Sequence, residues 1–242
     1  GMELDYDGDS RTFQADLRSA QEIGDTAAQR TLERLNPRRP RTGAYPVLFD
    51  ERIASSLIGH LMMAINGASI ARGASFLRDA LGEQVLPDTM SLTENPHRPR
   101  AGASRPFDAE GLPTRPRKII DNGTLTGWTL DLANARKLGL ESTGNAARSV
   151  SGGVSPTAWN LELTQGTQSK HDLMAQMGTG LLVTSMIGST INPNTGDYSR
   201  GAAGWWVENG EAVYPVSGVT IAGNLRDMLR GLIPAHDART YL

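Results

Sequence analysis

Apolar residues recur on a helical period in some stretches of the chain and alternate with polar ones in others. In residues 19–35, Ile23, Ala27, Leu32 and Leu35 form a stripe, Ser19 and Glu22 stand at capping-box spacing, and Asn36-Pro37 closes the run, which predicts a helix. The Arg38-Arg39-Pro40-Arg41 segment reads as a linker, so a boundary falls near residue 37. Residues 1–37 are then a tail and helix ending a preceding domain, and 38–242 the main domain. Residues 46–49 form a short apolar strand, and Asp50 can cap a helix in which Ile53, Leu57, Leu61 and Ile65 recur until Asn66-Gly67 stops it. Residues 85–92 read as extended. Residues 95–117, rich in Pro, Gly and Arg, read as a long loop of the kind that is either functional or mobile.

The second half is dominated by strand and turn signals. Asn122-Gly123 and Asn209-Gly210 are dipeptides that favour type I′ hairpin turns, and each lies between apolar runs: 118–120 and 124–130, then 205–208 and 212–216, with 219–222 extending the sheet. Asp131 to Leu138 reads as a helix stopped by Gly139, residues 143–156 as a Gly/Ser loop, and Trp159, Leu161 and Leu163 as a half-buried strand. Ser169 and Asp172 have capping-box spacing, residues 181–187 fit a buried strand or a helical turn alike, and Asn224 opens a last helix carrying Leu225, Met228, Leu229 and Leu232. Strands joined by hairpins predict an α+β fold, with a largely antiparallel sheet and helices packed to one side.

Composition narrows the function classes. The 242 residues have 38% hydrophobic and 21% charged side chains, which fits an ordinary folded domain. A net charge of -2 gives no overall attraction to nucleic acid or anionic membranes, and no apolar stretch approaches the ~20 residues needed to span a bilayer. With no cysteine there is no disulfide, thiolate ligand or thiol nucleophile, which agrees with a reducing cytoplasm. Gly1-Met2 has the form of a tag remnant before an initiator.

Candidate chemistry is sparse. The four histidines, His60, His97, His171 and His236, are far apart, and no His-Glu-x-x-His window occurs. His60 reads as a partly buried or capping histidine, and the others as surface residues. No Gly-x-Ser-x-Gly elbow or phosphate-binding glycine loop is present; Ser199, within Asp197-Tyr198-Ser199-Arg200-Gly201, reads as part of a tight loop in which Asp197 and Arg200 pair. Arg98, Arg100, Arg105, Arg115, Arg117 and Lys118 could hold phosphates, yet prolines and the acids Asp108 and Glu110 interrupt them, which favours a solvated loop or a protein contact over nucleic acid.

Longer runs carry a resemblance. Residues 192–211, from Asn192-Pro193-Asn194-Thr195-Gly196 through Asp197-Tyr198-Ser199-Arg200-Gly201 to Glu211, resemble the C-terminal signature of the TldD/PmbA family, of the PmbA (TldE) type. Tyr214-Pro215-Val216-Ser217, residues 220–228, Arg72-Gly73-Ala74-Ser75-Phe76-Leu77, Leu81-Gly82-Glu83, residues 104–108 and residues 110–114 extend the match. The resemblance covers nearly everything from Tyr45 onward, and it implies that an N-terminal half of similar size is missing. It also implies a cytoplasmic peptidase of paired subunits, known too as a modulator of DNA gyrase, that degrades unfolded or small peptides. In that family the TldD member binds zinc through two His and a Glu on one helix and a later Cys, whereas the PmbA/TldE member lacks these ligands. Here the corresponding helix offers Ser55, Ser56, Gly59 and His60. The expectation is therefore a non-catalytic subunit without a cofactor of its own. Zinc is expected only in a TldD-like partner, peptides are the substrates, and a homo-oligomer is a further partner to test. Asp197, Tyr198, Ser199 and Arg200 are the candidate substrate-binding or structural loop. Two alternatives stand beside this reading: a metallopeptidase using His60 in an unrecognised metal site, or a regulator contacting gyrase or DNA.

Overall fold

A computed structural model describes residues 2–237. The elements in chain order are α1 (Ala20–Glu33), β1 (Val47–Phe49), α2 (Glu51–Ala64), α3 (Gly67–Ala71), β2 (Leu92–Glu94), β3 (Arg117–Asp121), β4 (Thr124–Leu125), α4 (Leu132–Leu138), β5 (Ala146–Arg148), β6 (Val154–Pro156), β7 (Leu161–Leu163), α5 (Lys170–Met177), β8 (Gly180–Ile191), β9 (Asp197–Glu208), β10 (Glu211–Asn224) and α6 (Leu225–Arg230). One sheet runs β1-β8-β9-β10, a second β4-β3-β2-β7, and β5 and β6 pair alone. Only β1 and β8 pair in parallel; every other strand pair is antiparallel, which gives the expected α+β architecture.

Alternation along the first sheet separates its two faces. Leu181, Val183, Ala202 and Trp206 join the main core with Leu57 and Leu61 of α2 and with Leu92, Ile119 and Ile120 of the second sheet. Leu182 and Val207 instead pack against Met174 of α5 on the opposite face. Both predicted hairpin turns form, with Asn122 and Gly123 at φ 45° and 79° and Asn209 and Gly210 at φ 52° and 81°. Gly210 is required twice over, because a Cβ there would also stand 2.8 Å from the Ala175 Cα.

Other segments depart from the sequence reading. Residues 85–92 yield a strand only from Leu92, because Val85 and Leu86 turn aside to donate to the Gly123 carbonyl and Met90 closes a turn onto Pro87. Residues 143–156 contain the β5–β6 hairpin, and β4 stops at Leu125. Asn66 does more than stop α2: its side chain accepts from the Ala68 amide and starts α3. In α1 only the Ser19 half of the capping box forms, and no α1 residue is buried. That helix is held by charge, with Asp7 between Arg18 and Arg30, and Asp5 between Arg34 and Arg52 of α2.

The Arg/Pro loop is fastened internally. Glu94, 1% exposed, accepts from Arg117 Nε at 2.9 Å, Asn145 Nδ2 at 2.8 Å and the Trp159 amide at 2.7 Å. Asp108 accepts from the amides of Glu110, Leu112 and Ala146. Arg105 lies 4.0 Å over the Trp159 ring, Arg100 pairs with Asp16, and Lys118 pairs with Asp121.

Removing one partner of a buried ion pair leaves the other uncompensated, so Glu94→Ala is expected to cost about 3–5 kcal/mol of stability, read as a lowered urea midpoint. Asp79→Ala, at a solvent-exposed pair with Arg78, serves as the control and should leave the midpoint essentially unchanged.

Candidate functional site

The helix to which the resemblance assigns metal chemistry is α2. Asp50 caps it by accepting from the Arg52 amide, and the same carboxylate takes Arg52 Nε at 2.9 Å and Lys170 Nζ at 2.6 Å. Burial pushes the Asp50 carboxyl up, but Lys170 and Arg52 outweigh it and hold the group below the usual carboxylate range. One side chain thus fixes the start of α2 and ties it to α5.

A turn beyond the middle of α2, His60 packs its ring edge-on against Tyr198 of β9, with centroids 6.0 Å apart. The His60 Nε2 and the Ser56 Oγ, on the same face one turn apart, are both buried and have no hydrogen-bond partner among the described residues. Burial, and secondarily the charge of Arg200, lower the His60 pKa from its ordinary value. The Tyr198 hydroxyl donates to the Met186 sulfur at 3.4 Å, and burial raises its pKa against the opposing pull of Arg200. Arg200 donates through Nε to the Gly188 carbonyl at 2.7 Å. His60, Tyr198 and Arg200 thus lie together where α2 faces β9, and burial favours the uncharged forms of the imidazole and the phenol.

The four candidate residues of the signature do not form a loop. They open β9, and strand alternation divides them. Tyr198 packs against His60 and Arg200 acts on it by charge, while Asp197 and Ser199 are exposed. Asp197 does not pair with Arg200; it accepts from Thr195 Oγ1 at 2.6 Å and Asn224 Nδ2 at 3.2 Å, joining the β8–β9 turn to the cap of α6. The Asn-Pro-Asn-Thr-Gly turn signals that suggest a loop end at Gly196, and the strand begins immediately after it.

Zinc is the metal that the resemblance implies for the TldD member, and the donors on this chain can be set against it. Among the described residues, no three or more His, Cys, Asp or Glu come together in a group able to hold a metal. The sequence has no cysteine, His97 bonds to the Thr114 hydroxyl, and His171 lies exposed 3.9 Å from Glu211. By the resemblance, Ser55 and Ser56 of α2 stand at the positions of metal donors but offer only hydroxyls, and the nearby charge of Arg200 opposes a cation. These residues do not fit zinc.

One feature had no signal in the sequence. A groove of about 800 Å³ opens beside β1, between α2, α5 and residues 232–235. Its walls combine the β1–α2 stretch with α5 and the segment around 228–235, far apart in sequence, so no local pattern marks it. No helix among the described residues is long and apolar enough to cross a membrane.

Residues 42–241 match the family model of the PmbA/TldA metallopeptidase C-terminal domain. The chain is similar to Metalloprotease PmbA of Escherichia coli O157:H7, at 47% identity over 96% of this chain and 50% of that protein. It is 45% identical to the Metalloprotease PmbA homolog of Haemophilus influenzae over 98% of this chain and 51% of that protein. The chain thus spans about half the length of the curated relatives it matches. Among solved structures it is similar to a proposed modulator of DNA gyrase from Bacteroides thetaiotaomicron, with TM-score 0.85 and 31% identity over 94% of this chain and 49% of that one. It is also similar to TldE from Thermococcus kodakarensis, with TM-score 0.77 and 27% identity over 87% of this chain and 48% of that one.

The depressed His60 pKa has a definite sign. As pH falls below about 6.5, the unfolded chain takes up the proton before the folded one, so the stability tied to neutral His60 is complete above that pH and lost below it. His60→Leu should flatten the fall in urea midpoint between pH 8 and pH 5.5. An unchanged slope would show that His60 does not titrate as its surroundings require.

Proposed function

The chain belongs to the PmbA/TldA metallopeptidase C-terminal-domain family, and from that premise we propose that it is part of a PmbA/TldE-type subunit that hydrolyses nothing itself. It acts in the cytoplasm with a TldD-like, zinc-bearing subunit on unfolded or small peptides. The observation that carries this reading is the donor set on α2: two serines and one histidine, with an arginine beside the histidine and no cysteine anywhere in the chain. Without a bound metal, this site has no group to lower the pKa of a water or polarise a peptide carbonyl.

What such a subunit can supply is a surface. Unfolded peptides are bound by strand addition, which uses backbone groups and shallow side-chain pockets. Strand β9 is paired on both sides, so that geometry belongs to β10, the outer strand of the hairpin, and the partly exposed Arg200 on neighbouring β9 supplies a side-chain donor.

Two measurements test the reading. After incubation with zinc and dialysis, the purified protein should retain metal well below one equivalent by plasma mass spectrometry; close to one equivalent would overturn it and make His60 the first residue to examine. Peptide hydrolysis should appear only when the protein is mixed with its TldD-like partner. In that assembled pair, the Asp197→Ala, Arg200→Ala double variant should lower cleavage while circular dichroism stays unchanged. Full cleavage by the variant would remove this strand from the peptide path.

A further inference from the structure

We propose that the apolar groove beside β1 is the seat of a β-strand from the part of the polypeptide that lies outside residues 1–242. The inference rests on family membership and on the groove itself, and it stands or falls independently of the subunit's catalytic role.

The first observation is an open edge. Among the described residues, β1 is the terminal strand of its sheet and pairs only with β8. The Leu181 amide donates to the Pro46 carbonyl at 3.1 Å and the Asp50 amide to the Val183 carbonyl at 2.9 Å. A parallel ladder uses alternate residues, so the backbone groups of Val47 and Phe49 point to the other side. Among the described residues they have no hydrogen-bond partner there.

The second observation is incomplete cover. Parallel strands are ordinarily covered on both faces, yet Val47, Leu48 and Phe49 are all only half-buried. The groove they border is lined on one side by Leu57 and Ile58 of α2 and on the other by Leu173 of α5. Leu57 and Met90 on its lining belong to the main core. A cleft continuous with the core, beside an unpaired apolar edge, is a liability in solution and calls for a permanent cover.

The third observation selects the occupant. The chain covers 50% of the Escherichia coli relative, so a comparable length of polypeptide lies outside it in that protein. The described chain also runs through this groove at its own end, since residues 231–235 and Asp237 line it. The charged groups at the mouth are Glu51, Asp237 and Lys170, and Lys170 is already paired with Asp50. The remaining acidic charge suits a strand flanked by Lys or Arg.

The test uses overlapping synthetic peptides spanning the half of Escherichia coli O157:H7 PmbA outside the matched region, added to residues 1–242. Amide hydrogen exchange is read at Val47, Leu48 and Phe49. One short register should slow exchange at Val47 and Phe49 by about tenfold or more and leave Leu48, whose amide faces β8, unchanged. Ala54→Trp, which fills the groove, should abolish the effect. If that variant fails to fold, N-methylating alternate amides of the bound peptide should abolish it instead. Three outcomes overturn the proposal: no peptide protects these amides; casein-derived peptides protect them equally, which would mark a general peptide site; or protection grows with protein concentration alone, which would place a second copy in the groove.

Discussion

The loop-rich half of the molecule depends on one buried carboxylate. Glu94 has given up its water, and a bare carboxylate in that position would be strongly unfavourable. Its two oxygens are instead held by Arg117, Asn145 and the Trp159 amide, drawn from segments 23, 51 and 65 residues away in sequence. Arg117 answers with its whole planar fork: Nε to Glu94, one terminal nitrogen to the Trp128 carbonyl and the other to Asn145. Glu94 and Arg117 are also register partners between β2 and β3, and they flank the Pro/Arg-rich loop on either side. The ion pair therefore closes that loop at its base, while Asp108 gathers three amides near its middle. A segment that composition marks as either functional or mobile is thereby made part of the scaffold.

This pattern explains what could be read from the sequence and what could not. The Asp50, Ser169 and Asn224 caps, the αL stop at Gly139 and both Asn-Gly turns formed where the residues indicated, because each is decided within a few residues. Strand lengths were less legible. β8, β9 and β10 run far beyond the short apolar runs that announce them, since small residues such as Gly201, Ala202, Ala203 and Gly204 satisfy the ladder without any strand-like alternation. At Gly204 a Cβ would meet the Leu182 carbonyl at 1.9 Å, so the glycine marks close strand approach, not flexibility. The fates of the arginines were illegible for the opposite reason: their partners, such as Asp16 for Arg100 and Glu94 for Arg117, are distant in sequence.

The α2 face shows the same division. Its cap and apolar stripe follow from local sequence, and so does the absence of a zinc-binding triplet on the helix. What the sequence could not show is that His60 packs against Tyr198 of a strand some 140 residues later, near the charge of Arg200, and that its Nε2 and the Ser56 Oγ are buried without a partner among the described residues. Unsatisfied buried groups cost on the order of 1–3 kcal/mol each. A helix that existed only to fill the core would do better with leucine at both places.

The position of that cost along α2 is informative. The N-terminal end is fixed by charge, through Asp50, Arg52 and Lys170, and also bears the last hydrogen bond of β1. The C-terminal end is fixed by apolar contact, with Leu61 and Ile65 fully buried. The apolar groove borders the first end, and His60 lies near the second, about 15 Å along the axis from Asp50 at 1.5 Å per residue. With α2 held at both ends, the His60 Nε2 and Ser56 Oγ stay buried and, among the described residues, without a hydrogen-bond partner. The scaffold that orders the helix is what keeps these two polar groups in place, and it does so whether or not they have a partner.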